Sequence, residues 1–259
     1  MEKNINKDFI DSINSAKNSN EEFFTVNFGP NKVKIFFEEE ACDWIWNYKY
    51  ARQQEAIDVK SELSSSLKLK NVALINYFYS FIIPDISSLN KHISPETKSV
   101  LDIGAGIGLF DLCLNQLFKH KASFDLIEVE ELDEIEHVRN DPKDTKKLDS
   151  NTQIKPVQTL EKLMLANNVE NINIIMNKSI NQYFHKRYDL IVSFRSWGYL
   201  YDINLYEEFV RKTLNHDGIV ITDLSIYDDS IEKFSALFND VILIDRALNN
   251  KRFLGKNLK

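Results

Sequence analysis

The spacing of hydrophobic residues along this chain changes near residue 99. From there on, short apolar runs alternate with stretches in which apolar residues recur every three to four positions. The runs predict strands and the periodic stretches predict amphipathic helices. Together they predict an α/β fold in which right-handed helical crossovers join parallel strands. The predicted strands are 99–103, 124–129, 172–176, 189–194 and 218–222, and the predicted helices are 109–118, 157–167, 203–214 and 231–238.

The two ends of the chain have a different pattern. Apolar segments at 241–246 and 251–254 flank a turn sequence, which predicts a hairpin and therefore an antiparallel last strand. Residues 1–98 predict a separate N-terminal cap with a hairpin over 23–37 and two helices, the second of which should end near Pro84. The domain over 99–259 carries a polar, aperiodic stretch at 131–155, longer than an ordinary loop, which predicts a functional or mobile insertion.

Composition narrows the classes of partner. The 259 residues include 32 basic and 39 acidic side chains, a net charge of −7, which disfavours binding to a nucleic-acid backbone. Because no apolar stretch approaches the roughly 20 residues of a membrane span, and the first residues lack a signal peptide, we expect a cytoplasmic protein. The two cysteines, Cys42 and Cys113, have no partners at metal-ligand spacing, and no convincing metal site is predicted.

A glycine-rich loop gives the sharpest chemical signal. The strand 99–103 runs directly into Gly104, Gly106 and Gly108 and then into a helix. Glycine permits positive φ and lets the backbone approach a ligand closely. The spacing differs from the dinucleotide pattern G-x-G-x-x-G, which would need its third glycine at Leu109. Asp102, two positions before the loop, suits a cationic or hydroxyl-bearing ligand better than a pyrophosphate. The alternative is a tight turn that binds nothing.

Asp102-x-Gly104-x-Gly106-x-Gly108 after a strand resembles the first motif of class I S-adenosylmethionine-dependent methyltransferases. The resemblance extends over about 99–256. It implies a doubly wound, seven-stranded, mostly parallel sheet with an antiparallel last strand, and S-adenosyl-L-methionine as the cofactor. It also implies cofactor contacts from the loop (Asp102, Gly104, Ala105, Gly106, Gly108), from Glu128 to the ribose hydroxyls, from Asn177 and Ser179 near the adenine, and from Phe194. A solvent-exposed acid at the strand end is the alternative interpretation of Glu128.

The methyl acceptor should face the loops at the carboxyl ends of the strands. After the fourth strand, Arg195 is a candidate for binding an anionic acceptor or the carboxylate of the cofactor, and Trp197, Tyr199 and Tyr201 are candidates for stacking on a sugar or ring. This loop lacks the Asn/Asp-Pro-Pro-Tyr/Phe signature of amino-group methylation. Alternatively, the aromatic residues of this loop pack it against the next helix.

Candidates for proton removal and for the acceptor wall lie elsewhere. His137, in the insertion, is the best histidine candidate for a general base. Asp223 is a possible base or metal ligand, with helix capping as an equal alternative. Trp44 and Tyr48 share one face of a predicted aromatic helix and are candidates for an acceptor wall, although plain packing also explains them.

The leading functional hypothesis is a methyltransferase acting on an oxygen of a small polar acceptor, without nucleic-acid or membrane partners. The loop after the fourth strand resembles sugar O-methyltransferases of bacterial surface-polysaccharide clusters, which implies a sugar or a phosphorylated precursor as acceptor. The alternatives are a nucleic-acid or protein methyltransferase, and a Rossmann-like binding module without catalysis.

Overall fold

The computed structural model of the protein describes residues 10–12, 23–28, 31–36, 74–75, 77–128, 156–246 and 250–259. Several predictions lie outside these residues: the aromatic helix with Trp44 and Tyr48, the insertion at 131–155, and His137 within it. The described residues form parts of two compact units. Each unit is built on its own set of elements.

The first unit contains a two-stranded antiparallel hairpin, β1 (Phe23–Phe28) and β2 (Asn31–Phe36). Val26 faces Val33 across the pair, and both are completely buried. Thr25, Lys32 and Lys34 are exposed, so the side chains alternate between a buried and a solvated face. This pairing confirms the hairpin predicted from the apolar runs.

A helical segment follows, and it does not end at Pro84 as predicted. A π-helical turn at Phe78–Ile82 leads into α1 (Ile83–Leu89), so the helix continues through the proline. Proline interrupts a regular helix because it lacks an N–H and its ring meets a preceding carbonyl. Here the N–H of Ile83 bonds to the carbonyl of Phe78, five residues back. This wider turn accommodates the proline and keeps the chain helical.

The second unit is built on a seven-stranded sheet, with the strand order β5-β4-β3-β6-β7-β9-β8. Neighbouring strands from β5 to β7 are parallel, whereas β9 is antiparallel to both β7 and β8. The strands are β3 (Ser99–Ile103), β4 (Ser123–Glu128), β5 (Ile172–Met176), β6 (Tyr188–Ser193), β7 (Leu214–Ser225), β8 (Phe238–Arg246) and β9 (Asn250–Leu258). The predicted α/β architecture with an antiparallel last strand is confirmed.

Helices separate the strands along the chain as the periodicity predicts. They are α2 (Leu109–Leu117), α3 (Pro156–Ala166), α4 (Asn204–Thr213) and α5 (Ser230–Leu237), with a 3-10 helix at Asn177–Tyr183. In the second unit a core of buried apolar residues joins the sheet to α4 and α5; it includes Leu101, Ile103, Ile191, Val220, Phe209 and Phe234.

Candidate active site

The glycine loop leaves β3 in a conformation that other residues adopt only at a cost. Gly104, Gly106 and Gly108 have φ angles of 82°, 59° and 75°, values in the left-handed region that glycine adopts freely. The N–H groups of Gly104 and Ala105 both donate to the carbonyl of Ile127 in β4, at 2.9 and 3.3 Å. The backbone of this loop is therefore fixed by the neighbouring strand.

The acid at the end of β4 closes the same loop. The backbone N–H of Gly106 donates a hydrogen bond to a carboxylate oxygen of Glu128, which is itself buried. Gly104, Ala105 and Gly106 remain partly exposed. The carboxyl end of β4 and the half-exposed glycine backbone thus lie side by side.

Close packing also requires glycine at two of the three positions. A Cβ atom on Gly104 would lie 1.9 Å from the Ser196 hydroxyl oxygen. A Cβ atom on Gly108, within the first unit, would lie 2.9 Å from the Met164 methyl group and 3.0 Å from Leu160 of α3. Neither position leaves room for a side chain, so the motif serves close packing as well as a free backbone.

Three polar side chains gather near Glu128. Tyr206, at the start of α4, donates its hydroxyl to the amide oxygen of Asn177 at 2.8 Å. Burial, followed by the negative charge of Glu128, raises the pKa of Tyr201 above its usual value. Burial, Tyr201 and Glu128 raise the pKa of Tyr206 in the same direction. A buried carboxylate flanked by protonated tyrosines and an amide is a hydrogen-bonding site suited to a neutral, hydroxyl-rich group.

Because the pKa values of these tyrosines are raised in the folded protein, we predict a loss of stability at high pH. Burial and Asp125, whose carboxylate accepts from the Tyr188 hydroxyl at 2.9 Å, raise the pKa of Tyr188 as well. The unfolded chain releases tyrosine protons near pH 10, whereas the folded chain keeps them on Tyr188, Tyr201 and Tyr206. The free energy of unfolding is therefore constant in this respect below pH 10 and falls as the pH rises above it. Urea unfolding between pH 8 and pH 11, together with tyrosinate absorbance, measures the effect. A folded protein that titrates all ten tyrosines near pH 10 would contradict it.

The loop after β6 is held by its own backbone. The carbonyl of Ser196 accepts hydrogen bonds from the N–H groups of Tyr199, Leu200 and Tyr201, at 3.1, 2.8 and 3.1 Å. Arg195 lies in the left-handed region at φ 59°, an uncommon conformation for a residue with a side chain. Such backbone strain persists where the surrounding structure imposes it, and it is common at functional sites.

Trp197 lies in the core and not on the surface where it was predicted to stack on the acceptor. Its side chain has no exposed surface, its indole N–H donates to the carbonyl of Ile203 at 2.8 Å, and its ring meets Phe234 edge to face. A ring without exposed surface has no face to offer a ligand. The structure therefore gives Trp197 the packing role that was the alternative in the sequence. Tyr199 and Arg195 are both partly exposed.

Asp223, at the end of β7, is bound by an arginine that the sequence did not single out. Arg252 of β9 donates from Nε and Nη2 to the two carboxylate oxygens, at 2.8 and 3.0 Å, and both side chains are buried. The guanidinium lies 3.8 Å from the ring centroid of Phe194 and also donates to the Ser88 hydroxyl. Both oxygens of Asp223 therefore accept hydrogen bonds from Arg252, and the carboxylate anchors the guanidinium beside Phe194.

Two other residues predicted to bind the cofactor, Asp102 and Ser179, lie on a strand of the sheet or directly after one. Asp102 is buried in β3, between Leu126 of β4 and Val192 of β6. Ser179 is half-buried in the 3-10 helix after β5. Within the second unit, the carboxyl ends of β3, β4 and β5 therefore bring Asp102, Glu128 and Asn177 to one edge. Sequence reasoning missed Ser196, Tyr206 and Arg252; the 29-residue separation of Arg252 from Asp223 leaves no local pattern to find.

The described residues contain neither a metal-binding cluster nor a membrane-spanning helix. Among the described residues, no group of three or more His, Cys, Asp or Glu side chains is placed to hold a metal ion. No helix in the same part of the chain is long and apolar enough to cross a bilayer.

Comparison with known proteins identifies the fold. No protein-family profile matches the chain, and no curated protein matches it. Among solved structures, the 16S rRNA N2 G1207 methyltransferase (RsmC) of T. thermophilus, in complex with AdoMet and guanosine, is similar over 68% of this chain, with 16% identity and a TM-score of 0.50. The chain spans 42% of the length of that protein.

Other methyltransferase structures are similar at lower scores. A precorrin-6y C5,15-methyltransferase from Geobacter metallireducens matches with 12% identity and a TM-score of 0.46, over 66% of this chain and 86% of that one. An O-methyltransferase family protein from Burkholderia thailandensis matches with 10% identity and a TM-score of 0.45, over 84% and 70% of the two chains. The strand order and the antiparallel last strand, with the similarity to the rRNA methyltransferase, give this chain the fold of class I S-adenosylmethionine-dependent methyltransferases.

Proposed function

We propose that the protein binds S-adenosyl-L-methionine and transfers its methyl group to an oxygen of a small polar acceptor. The observation that carries the proposal is the glycine loop after β3, which has three left-handed glycines and in which Gly104 and Gly106 donate hydrogen bonds to Ile127 and Glu128 of β4. Tight turns do not require three glycines or a buried acid at the end of the neighbouring strand. A ligand that needs bare backbone and a hydroxyl acceptor accounts for both.

The residues present fit this cofactor. Gly104, Ala105 and Gly106 expose part of their backbone, and Glu128 offers a carboxylate that can accept from two ribose hydroxyls. Asn177 and Ser179, after β5, are the proposed neighbours of the adenine. The bound cofactor would supply a methyl group activated on a sulfonium.

In the proposed reaction, the protein would align the acceptor oxygen with the methyl group and remove the acceptor's proton. In an in-line displacement the acceptor oxygen must face the methyl group with water excluded, and a hydroxyl acceptor must lose its proton. His137 stays the predicted base. The Arg252 guanidinium of the Asp223–Arg252 pair makes a cation–π contact with the Phe194 ring, so the pair would shape the acceptor side without itself taking a proton.

A sugar or a phosphorylated precursor of a bacterial surface polysaccharide is the proposed acceptor. Three features support a small polar molecule: the net charge of −7, the half-buried rings of Tyr199 and Tyr201, and the arginine between β6 and these rings. Tyrosine rings combine an apolar face for the C–H groups of a sugar with a hydroxyl for its oxygens. Tyr227, beyond the end of β7, is 63% exposed and extends this aromatic rim.

A screen with isotope-labelled methyl donor tests the proposal. The protein is incubated with nucleotide sugars, phosphorylated metabolites or oligonucleotides, and Gly106→Arg serves as the inactive control. Label in the first or second class, with the methyl carbon attached to oxygen by NMR, supports the proposed acceptor. Label only in oligonucleotides would assign the protein to nucleic acid. Cofactor binding without transfer to any class would favour the non-catalytic module.

Replacing Arg195 should weaken acceptor binding without lowering the stability of the fold. Replacing it with glycine relieves the left-handed backbone, so the free energy of unfolding should stay the same or rise by up to about 1 kcal/mol. The same change removes the guanidinium that would hold an anionic acceptor, and KM for that acceptor should rise about tenfold or more. Thermal unfolding and steady-state kinetics measure the two effects. Equal KM values would remove Arg195 from the acceptor site, and Lys91→Gly on the surface is the control for a lost cation.

A further inference from the structure

Tyr206 makes a hydrogen bond of fixed direction to a residue of the candidate cofactor site. Its hydroxyl donates to the amide oxygen of Asn177 at 2.8 Å, and the tyrosine is only 4% exposed. Burial first, then Tyr201 and Glu128, raise the pKa of this hydroxyl, so it keeps its proton and remains a donor at neutral pH. The bond therefore joins α4 to the first residue after β5 through the oxygen of the amide.

This bond leaves only one end of the Asn177 amide for a ligand. A side-chain amide has an oxygen that accepts hydrogen bonds and an NH2 group that donates them. The oxygen faces the buried hydroxyl of Tyr206, whereas Asn177 itself is only half-buried. The NH2 group has no partner in the described part of the chain, and it is not among the buried polar atoms there. Asn177 thus presents a donor to the site.

The amide lies next to the acid that the site offers to the ribose. Glu128 of β4 is paired with Met176 of β5, and Asn177 directly follows that pair. Glu128 also accepts from the N–H of Gly106, so the glycine loop, the acid and the amide follow one another along the same edge of the sheet. A ligand whose ribose hydroxyls bind Glu128 can therefore bring its base to Asn177.

The base of the proposed cofactor carries both kinds of partner. The 6-amino group of adenine donates, whereas its ring nitrogens N1, N3 and N7 accept. A carboxylate at position 177 could bind only the amino group, and an amide that turns freely could bind either kind of partner. An amide whose oxygen is held by Tyr206 can donate only to a ring nitrogen.

We infer that Tyr206 is a positioning residue that fixes the polarity of the adenine site: it holds the oxygen of Asn177, and the NH2 group donates to a ring nitrogen of the base. The inference rests on the proposed function, because it concerns the same site. Tyr206 acts through Asn177 and does not itself touch the cofactor. The consequence is specificity, since a base without an acceptor at that ring position would bind weakly.

An isosteric substitution gives opposite results for the two polarities. Asn177→Asp keeps an oxygen for the Tyr206 hydroxyl but turns the outward donor into an acceptor. By calorimetry at neutral pH, the variant should bind S-adenosylhomocysteine about tenfold more weakly than the wild type, because two acceptors then face each other. If the amide instead turned its oxygen to the 6-amino group, Asn177→Asp would bind as tightly as the wild type or more tightly, and the inference would be overturned.

Three analogues of S-adenosylhomocysteine locate the nitrogen. In each of them a C–H group replaces one ring nitrogen, N1, N3 or N7. One of the three should bind the wild type about tenfold more weakly than S-adenosylhomocysteine does. The same analogue should bind Asn177→Asp at least as tightly as S-adenosylhomocysteine does, because the facing acceptor is gone. Equal affinity of the wild type for all four ligands would contradict the inference.

Tyr206→Phe tests the positioning role, and Tyr188→Phe is the matched control. Both tyrosines are buried, and the Tyr188 hydroxyl donates to Asp125 at 2.9 Å, near the opposite end of the strands. Both variants should be less stable in urea, since each leaves a buried acceptor without its donor. Only Tyr206→Phe should discriminate less between S-adenosylhomocysteine and the weakly bound analogue, by about threefold or less in place of tenfold, because its amide can turn. Unchanged discrimination in Tyr206→Phe would show that the hydroxyl serves packing alone.

Failure of the inference can be told from failure of the proposed function. If the wild-type protein binds neither S-adenosylhomocysteine nor any analogue, the proposed function fails. If it binds S-adenosylhomocysteine and Asn177→Asp binds that ligand equally well, the inference alone fails.

Discussion

Glu128→Ala should bind S-adenosylhomocysteine at least about 100-fold more weakly than the wild-type protein, because two charge-assisted hydrogen bonds of about 1.5–3 kcal/mol each are lost. The same carboxylate accepts from the N–H of Gly106, so its removal also releases the glycine loop. Glu128→Gln keeps an acceptor for that N–H but offers one oxygen in place of two. We therefore expect an intermediate loss of about tenfold. Isothermal titration calorimetry measures both variants.

The control for charge is Glu208→Gln, which removes an exposed acid of α4 that pairs with Lys212 at the surface. It should leave the affinity unchanged. If Glu128→Ala binds as tightly as the wild type, Glu128 is only a loop anchor and the ribose must be held elsewhere.

Arg252→Met should cause a large loss of stability. Its guanidinium satisfies both oxygens of Asp223 at a site where the two side chains have relative exposures of 6% and 1%. Removing one member of a buried pair leaves an uncompensated charge, and the free energy of unfolding should fall by about 3–5 kcal/mol. Urea unfolding near neutral pH measures the change.

The double variant Asp223→Leu/Arg252→Met separates the cause from simple loss of packing. It removes both charges, so it should recover much of the stability lost in the single variant. The exposed pair Glu208–Lys212 gives the comparison: Lys212→Gln should cost about 0.5 kcal/mol or less. A single variant Arg252→Met with wild-type stability would show that Asp223 is not held as described.

The sequence predicted the strands closely, and the reason is physical. A central strand of a parallel sheet is buried on both faces, so it appears as a mostly apolar run such as Ser99–Ile103, observed with the predicted bounds. The edge strand Ile172–Met176 is only partly buried but carries four apolar residues, and its bounds also match the prediction. The glycine loop was visible for a similar reason, since left-handed backbone at three positions restricts the residue type strongly. Local constraints of this kind leave a local pattern.

The parts that the sequence did not reveal depend on contacts between distant residues. Ser196 meets Gly104 across 92 positions, and Arg252 meets Asp223 across 29, so neither pairing shows in any window of sequence. Trp197 belongs to an aromatic stretch whose rings go to the core or to the rim according to the path of the loop. The residue types near β6 were therefore predictable, but their directions were not.

Binding of S-adenosylhomocysteine to the wild-type protein and to Gly106→Arg, measured by calorimetry, tests the central claim most directly. Gly106 has φ 59° and its N–H is bonded to Glu128, so an arginine there would both strain the loop and cover its half-exposed backbone. Circular dichroism must show that both proteins are folded. We predict one site with micromolar affinity in the wild type and no detectable binding in the variant. A folded wild-type protein that releases no heat and shows no binding would contradict the account.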